Sequence, residues 1–407
     1  MRASSSGLYP INASRHWASL DPKKGKILEY NINIYKISDY HSIMDSYQKR
    51  ESKAVDAIKK AIPASLKRDI VKSEFSSFAE LYRNDEALPN HLIACAIDGV
   101  GTKLVIAEAM GRFDTVGIDC VAMCANDLAT LGKVSPFLFM DYLACQKKIQ
   151  EEEITGEIVS GMSKGLEQCD ASKIFRNSIR ANFGKGETAS VDELISSIKN
   201  GYGFDIAGCM LGFVEKKSLA KKVSAGDKII ALRSSGPHSN GYTDLRHCLL
   251  KGEFETRDEF KKKYKGRFSL DSKFEGSTIG KMLLEPTKIY VEAMAKISKD
   301  FDVIGANNTG YGLKNLNRLK GFEFVISKPL KPQPIFELMQ KESGFTDEQM
   351  YSTFNMGMGF FIIAKKDEAE DVLQLAKDGA IVGEARSSGK SRTILDKGGN
   401  KILFEEY

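Results

Sequence analysis

Short apolar runs alternate with amphipathic stretches along most of the chain. The runs predict strands over 92–97, 137–143, 205–214, 228–232, 302–304, 322–326, 359–364 and 380–382. Helical spacing predicts helices over 103–110, 117–131, 153–166, 243–250, 289–297 and 313–319. A hairpin turn is expected at 397–400. Because strands and helices alternate, the pattern predicts an α/β (α+β) fold.

The 407 residues suffice for two or three domains, and a charged stretch at 215–217 separates two halves of the pattern. We predict an N-terminal extension over 1–40 that need not be ordered, an N-terminal domain over 41–222 and a C-terminal α/β domain over 223–407. The charged segment 251–275 interrupts the second half and is interpreted as a surface excursion.

Composition narrows the class of protein. With 42% apolar and 28% charged residues the chain is typical of a soluble globular protein. The net charge of +5 is too small to predict nucleic-acid binding, and no apolar run is long enough to span a membrane. Seven cysteines without a Cys-x-x-Cys pair favour a reduced, cytoplasmic protein. Residues 1–20 are Ser-rich and weakly similar to a transit segment, although a floppy terminus is the favoured interpretation.

The densest chemical signal follows the first predicted strand and reads Asp98-Gly99-Val100-Gly101-Thr102-Lys103. Two glycines before a helix let backbone amides approach an anion, which indicates a phosphate cradle. An aspartate at position 98 can bind a hard cation, and a lysine at 103 can neutralise phosphate oxygens. Read alone, such a Gly-x-Gly turn is more often only a turn.

A second signal lies on the helix that follows. Asp119, Met123, Asn126 and Asp127 share one face, and this helix has almost no other charge. Burial near a cation is therefore favoured, with a capping or turn-forming aspartate as the alternative.

The second half contains a loop of small and polar residues before a helix, Ser234-Ser235-Gly236-Pro237-His238-Ser239-Asn240-Gly241. Such a loop can wrap a polar ligand. His238 stands in a turn between Pro237 and Gly241, from which its side chain is expected to project into a cleft. A lone histidine is otherwise more often an exposed surface residue without a functional role.

These segments resemble the aminoimidazole ribonucleotide (AIR) synthase family of purine biosynthesis. The resemblance covers most of 91–386. It rests on the motifs above and on the segments 114–119, 123–127, 186–189 (Gly-Glu-Thr-Ala), 205–208, 285–290 and 351–357.

The resemblance implies a homodimer of two-domain subunits whose N-terminal, ATP-binding domains form a shared barrel. It also implies ATP-dependent closure of formylglycinamidine ribonucleotide to AIR through phosphorylation of the formamide oxygen, with ATP and Mg²⁺ as cofactors. Small molecules are then the partners, with neither nucleic acid nor membrane.

The resemblance also implies roles for individual residues. The metal ligands are Asp98, Asp119 and Asp127. ATP is held by Gly99, Gly101, Thr102, Lys103, Asp119 and Asn126. Substrate is held by Ser235, Gly236, His238, Ser239, Asn240, Thr309 and Gly310. The catalytic residues are His238, Lys103 and Asp98, where His238 acts as an acid/base or only as a donor.

Three segments depart from the family pattern. Segment 73–78 stands where relatives have a glycine-rich stretch, and Ser190-Val191-Asp192-Glu193 replaces a Glu-Met-Pro segment. Asn307-Asn308-Thr309-Gly310-Tyr311-Gly312 replaces His-x-Thr-Gly-Gly-Gly. Two alternatives therefore stay open: another ATP-using member of the superfamily, such as a selenophosphate synthase, a thiamin-phosphate kinase or a formylglycinamidine ribonucleotide synthetase, and a catalytically silent dimeric paralogue.

Overall fold

The computed structural model describes residues 53, 56–58, 60–66, 70–71, 81–82 and 90–405. The predicted extension over 1–40 and the glycine-free segment 73–78 lie outside these residues. No helix in the described part is both long enough and apolar enough to cross a lipid bilayer.

The described strands are β1 (Ile70–Val71), β2 (Leu81–Tyr82), β3 (His91–Gly99), β4 (Val134–Cys145), β5 (Asn182–Ser190), β6 (Phe204–Glu215), β7 (Lys228–Arg233), β8 (Lys273–Phe274), β9 (Ser277–Thr278), β10 (Ile304–Asn307), β11 (Phe322–Ile326), β12 (Met358–Ala364), β13 (Gly379–Ser387), β14 (Arg392–Lys397) and β15 (Asn400–Glu405).

The described helices are α1 (Leu104–Met110), α2 (Asp114–Ala129), α3 (Lys147–Glu151), α4 (Ile154–Glu167), α5 (Ser172–Phe175), α6 (Tyr242–Leu249), α7 (Asp258–Lys261), α8 (Ile279–Leu283), α9 (Val291–Asp300), α10 (Pro334–Ser343), α11 (Asp347–Thr353) and α12 (Ala369–Ala376). Short 3₁₀ turns cover Ala64–Leu66, Gly101–Lys103, Lys216–Ala220 and Gly312–Arg318. Strands and helices alternate as predicted, so the α/β class is confirmed.

A four-stranded sheet in the order β3-β6-β4-β5 forms the core of the first half. Strand β6 pairs antiparallel with both β3 and β4, whereas β4 and β5 are parallel. Helix α2 packs against this sheet and against α4. The two helices approach so closely that a Cβ on Gly161 would lie 1.8 Å from the Asp114 carbonyl oxygen, which explains the glycine at that position.

A seven-stranded sheet in the order β10-β12-β7-β13-β11-β14-β15 forms the core of the second half. Every residue of β12 is buried, because neighbouring strands and helices cover both of its faces. Strands β7 and β10 flank β12 and are both antiparallel to it, so their carboxyl ends lie at the same edge of the sheet. The predicted hairpin is confirmed as β14 and β15.

Several elements of the structure differ from the predicted ones. The segment predicted as a helix over 313–319 is a 3₁₀ turn, Gly312–Arg318. The elements that were not predicted are strands β1, β2, β5, β8 and β9 and helices α3, α5, α7, α8 and α10 to α12. Strand β5 was missed because it alternates charged and small residues without an apolar run. The predicted surface excursion over 251–275 is packed against the fold in part, because Glu255 and Tyr264 are buried.

Candidate functional site

Three loops that follow strands β3, β7 and β10 meet around a cavity of about 320 Å³. Both sheets therefore contribute to it. Its lining residues are Asp98, Gly99, Val100, Gly101, Met123, Ser239, Asn240, Thr309, Gly310, Tyr311 and Arg318.

The turn after β3 leaves space for a ligand. Gly101 has a φ of +73°, and a Cβ built on it would meet nothing within 4 Å. The left-handed backbone explains the glycine, and the open space beside it lets a ligand reach the main chain. Thr102 lies next in the turn, and its hydroxyl oxygen is 3.4 Å from that of Thr243.

Asp98 lies in the cavity wall at the end of β3. Its Oδ1 accepts a hydrogen bond of 2.8 Å from the Gly99 amide. Burial raises the pKa of Asp98, the nearby charge of Asp127 raises it further, and the Gly99 hydrogen bond opposes both. The two carboxylates thus lie close enough to repel each other.

Asp127 is held from the second half of the fold. Asn307 at the end of β10 donates from Nδ2 to Asp127 Oδ1 at 2.8 Å. No group of three or more Asp, Glu, His or Cys side chains within the described part of the chain is placed to hold a metal ion. The structure brings Asp98 and Asp127 near each other, and the predicted metal site itself stays a prediction.

Lys103 does not face the cavity, which corrects its predicted contact with phosphate. Its side chain is fully buried, and Nζ donates to Asp119 Oδ1 at 3.0 Å. Nζ also donates to the carbonyl oxygens of His238 at 2.9 Å and of Glu285 at 2.7 Å. These three bonds use all of its protons. Burial lowers the pKa of Lys103, and the charge of Asp119 opposes that effect.

Asp119 is the acidic partner in this buried network, so its predicted role as a metal and nucleotide ligand is also corrected. Its Oδ2 lies 2.8 Å from Lys103 Nζ. Its Oδ1 accepts from the Thr287 amide at 2.7 Å and from the Thr287 hydroxyl at 2.6 Å. Together Lys103 and Asp119 connect helices of the first half to segment 285–287 of the second. We call Lys103, Asp119 and Thr287 the interdomain lock.

Asn126 has a similar structural role instead of the predicted nucleotide contact. It is buried, and its Nδ2 donates to the Lys288 carbonyl at 2.8 Å. Its Oδ1 accepts from the Tyr290 amide at the same distance. Both ends of the amide group are therefore used between α2 and the start of α9.

The predicted substrate loop divides into two parts. Ser239 and Asn240 line the cavity. Ser235 instead donates its hydroxyl to the Pro286 carbonyl at 2.6 Å, and the Gly236 carbonyl accepts from Asn355 at 2.9 Å. These two residues fix the loop and do not line the cavity, which differs from the prediction.

His238 also lies behind the cavity wall, although the sequence predicted that it projects into a cleft. It is 2% exposed and has a φ of +59°. Its Nε2 accepts a hydrogen bond from the Ser235 amide at 3.3 Å, so the proton of the neutral ring is on Nδ1. Burial lowers the pKa of His238 to about 3, and the charges of Lys103 and Lys288 act in the same direction. In this arrangement the imidazole is buried and bound to its own loop, and its role as an acid/base or only as a donor stays a prediction.

Comparison with known proteins identifies the family. The profile described as "AIR synthase related protein, N-terminal domain" matches residues 83–214, and the corresponding C-terminal domain profile matches 224–396. The chain belongs to the AIR synthase related family. The phosphoribosylformylglycinamidine cyclo-ligase of Methanococcoides burtonii is 40% identical over 74% of this chain and 81% of its own. The Fusobacterium nucleatum protein of the same name is 36% identical over 84% and 93%.

Solved structures show the same fold at low sequence identity. Escherichia coli HypE is 16% identical, covers 88% of this chain and 96% of its own, and has a TM-score of 0.56. The thiamine-monophosphate kinase of Stenotrophomonas maltophilia is 14% identical over 86% and 96%, with a TM-score of 0.53. Hydrogenase maturation protein HypE in complex with ATP is 13% identical over 83% and 90%, with a TM-score of 0.55.

Two residues that line the cavity beside Asp98 were not predicted from the sequence to belong to the site. Arg318, at the end of a 3₁₀ turn, is the only positively charged side chain among the described residues that line it. Tyr311 lines the same cavity and is 57% exposed. Arg318 lies in no glycine-rich or acidic motif, and Tyr311 stands between Gly310 and Gly312 in the segment that departs from the family pattern. Only the folded chain brings the two residues to Asp98.

Proposed function

We propose that this chain closes the imidazole ring of aminoimidazole ribonucleotide from formylglycinamidine ribonucleotide, with ATP as the phosphoryl donor. The observation that carries the proposal is the cavity in which the open Gly99–Gly101 turn of one half meets polar residues of the other. Relatives that cover most of the chain are named phosphoribosylformylglycinamidine cyclo-ligase. The chain is therefore assigned as a ligase that forms a carbon–nitrogen bond.

The donor set at the cavity suits ATP with Mg²⁺. Asp98 and Asp127 offer carboxylate oxygens, which are the ligands that Mg²⁺ takes alongside phosphate. A dication would also relieve the repulsion that raises the pKa of Asp98. Gly99 and Gly101 leave the main chain open to phosphate, with Thr102 beside them, and Arg318 supplies the positive charge that the buried Lys103 does not.

The chemistry requires two bonds to form in sequence. Transfer of the γ-phosphoryl group to the formamide oxygen releases ADP and makes that oxygen a good leaving group. An amidine nitrogen then attacks the same carbon, and phosphate leaves as the ring closes. The chain's own contribution is to bind and orient both reactants and to neutralise charge. Ser239, Asn240, Thr309 and Gly310 are proposed to hold the substrate.

A coupled assay of ADP release tests the proposal. ADP should form with formylglycinamidine ribonucleotide present and should be near background without it. ADP formation with a thiamin ester or selenide instead would assign the chain to another branch of the superfamily. Failure to form ADP with any of these, together with no calorimetric heat from ATP and Mg²⁺, would indicate a silent paralogue.

A homodimer is part of the proposal. The four-stranded sheet exposes an apolar face: Ile93 is 71% exposed, Ile97 is 74% exposed and Tyr142 is 47% exposed. Such a face stabilises a protein when a second copy covers it. Substituting Ile93 and Ile97 by lysine should convert the dimer to monomer in light scattering after gel filtration. An unchanged mass for this variant would argue against an interface on this sheet.

We also propose a cytoplasmic location. All seven cysteines are free thiols, and burial raises the pKa of several of them, including Cys120, Cys124 and Cys169. A chain with this many unpaired thiols suits a reducing compartment.

A further inference from the structure

A second cavity, of about 490 Å³, lies where the two sheets are connected. One wall is segment 217–227, which joins β6 to β7. The other wall contains Asp302, just before β10, and residues 365–367, just after β12. These positions are the opposite ends of β7 and β10 from the loops that line the first cavity. The second cavity is therefore at the other edge of the seven-stranded sheet.

Its lining is rich in lysine. Among the residues that the structure describes, five lysines and three aspartates contribute and no aromatic residue does: the charged residues are Lys217, Lys221, Lys222, Lys365, Lys366, Asp227, Asp302 and Asp367. Without an aromatic ring, the cavity lacks a surface for stacking a nucleotide base. Its chemistry is that of a site for small, highly charged anions.

Part of this charge is already neutralised. Lys217 pairs with Glu215 at 3.4 Å, and Lys365 pairs with Glu368 at 2.8 Å. Asp227 is buried and accepts a hydrogen bond of 2.9 Å from the Ser224 amide through Oδ2. These contacts stabilise the rim of the cavity.

Lys221 is the residue that points to a ligand. Its Nζ is buried, and it has no hydrogen-bond acceptor among the described residues. A buried ammonium without acceptors costs free energy, which an anion in the cavity would offset. Burial lowers the pKa of Lys221, while the nearby charges of Asp227 and Asp302 raise it and that of Lys365 lowers it.

We propose that this lysine cavity binds a small anion with several phosphate groups, at a site separate from the reaction cleft. Lys221 supplies the buried contact, and Lys222 and Lys366 supply exposed charges at the mouth. An anion with several linked phosphates can contact lysines from both walls of the cavity at once. Because no residue of this cavity lines the first one, the proposal does not depend on the proposed reaction.

Calorimetric titration of the full chain with inorganic tripolyphosphate tests the proposal. The Lys221→Met/Lys366→Met variant should bind it at least tenfold more weakly than the parent. Lys390→Met is the matched control, because Lys390 is exposed and lies in the loop between β13 and β14. Any binding in the reaction cleft contributes equally to all three proteins. Equal affinities in parent and double variant, or an equal loss in the control, would overturn the proposal.

A measurement on the unmodified chain covers the case in which the double variant does not fold. Lysine acetylation by a water-soluble ester can be followed by mass spectrometry with and without tripolyphosphate. The proposal predicts at least fivefold slower acetylation of Lys221 and Lys366 with the anion present, and no change at Lys390. Unchanged rates at Lys221 and Lys366 would contradict it.

Discussion

The two ends of one six-residue motif face different surroundings. At the first end, Asp98 and Gly101 line an open cavity. At the other end, the Lys103 side chain is fully buried and uses all its protons inside the fold. Asp98, which a ligand can reach, is thus only five positions from Lys103, which holds the two halves of the chain together.

This contrast shows how a charged motif is divided between binding and stability. The left-handed Gly101 starts the 3₁₀ turn Gly101–Lys103, which carries the lysine away from the cavity and into the space between α2 and segment 285–287. A phosphate-binding lysine and an interdomain lysine look identical in the sequence. The difference appears only when the second half of the chain supplies Thr287 and the carbonyl of Glu285.

The largest effect is expected from Lys103→Met. The substitution leaves the Asp119 carboxylate buried without its cation, so the free energy of unfolding should fall by about 3–5 kcal/mol. Denaturant titration measures this change in the free energy of unfolding. The Lys103→Met/Asp119→Leu variant removes both charges and should lose less stability than the sum of the single changes. If the double variant lost as much stability as the two single variants together, the result would argue against the interdomain lock.

Asp98→Asn tests the end of the motif that lines the cavity. The carboxylate should act on the reaction and contribute little to stability, so turnover should fall by about 10²–10³-fold while the unfolding midpoint stays close to that of the parent. Steady-state ADP release and a thermal scan measure the two quantities. A variant that turns over as fast as the parent would remove Asp98 from the site.

A pH series tests the buried His238. Its pKa of about 3 in the folded state lies below its usual value of 6.5. Above pH 6.5 both states are neutral at this residue. Below it, the unfolded chain takes up a proton that the folded chain does not. Stability should therefore fall by about 2 kcal/mol between pH 7 and pH 5 from this group.

The His238→Gln variant should show a correspondingly shallower loss of stability over the same pH range. Denaturant midpoints at pH 5, 6 and 7 provide the comparison. Equal slopes for parent and variant would mean that the imidazole can be protonated in the folded chain.

A small loss of stability is expected from Gly101→Ala. A methyl group there meets nothing within 4 Å, so only the left-handed backbone opposes it, at about 1 kcal/mol. The methyl group would still enter the space proposed for phosphate, so ATP affinity should fall more than stability does. Calorimetry and thermal unfolding separate the two, and unaltered ATP affinity would place the phosphates elsewhere.

Much of this fold is visible in the sequence, because strands such as β3 and β12 contain continuous apolar runs. Strand β12 is fully buried, whereas β3 leaves apolar side chains such as Ile93 and Ile97 exposed. Strand β5 could not be recognised in the sequence, because its pattern mixes charged with small residues. At the site, the predicted residues Asp98 and Asn240 line the cavity, whereas the predicted residue Lys103 is buried in contacts with Asp119, His238 and Glu285. Sequence spacing reports which residues share a turn or a helix face. It does not report which carboxylate or carbonyl a distant segment will bring to them.

The most direct test of the central contrast is calorimetric titration of ATP with Mg²⁺ into the parent, Asp98→Asn and Lys103→Met, at a temperature where all three are folded. We predict at least tenfold weaker binding for Asp98→Asn, and affinity within about threefold of the parent for Lys103→Met. The reverse order, with Lys103→Met losing ATP while still folded and Asp98→Asn keeping it, would contradict the account.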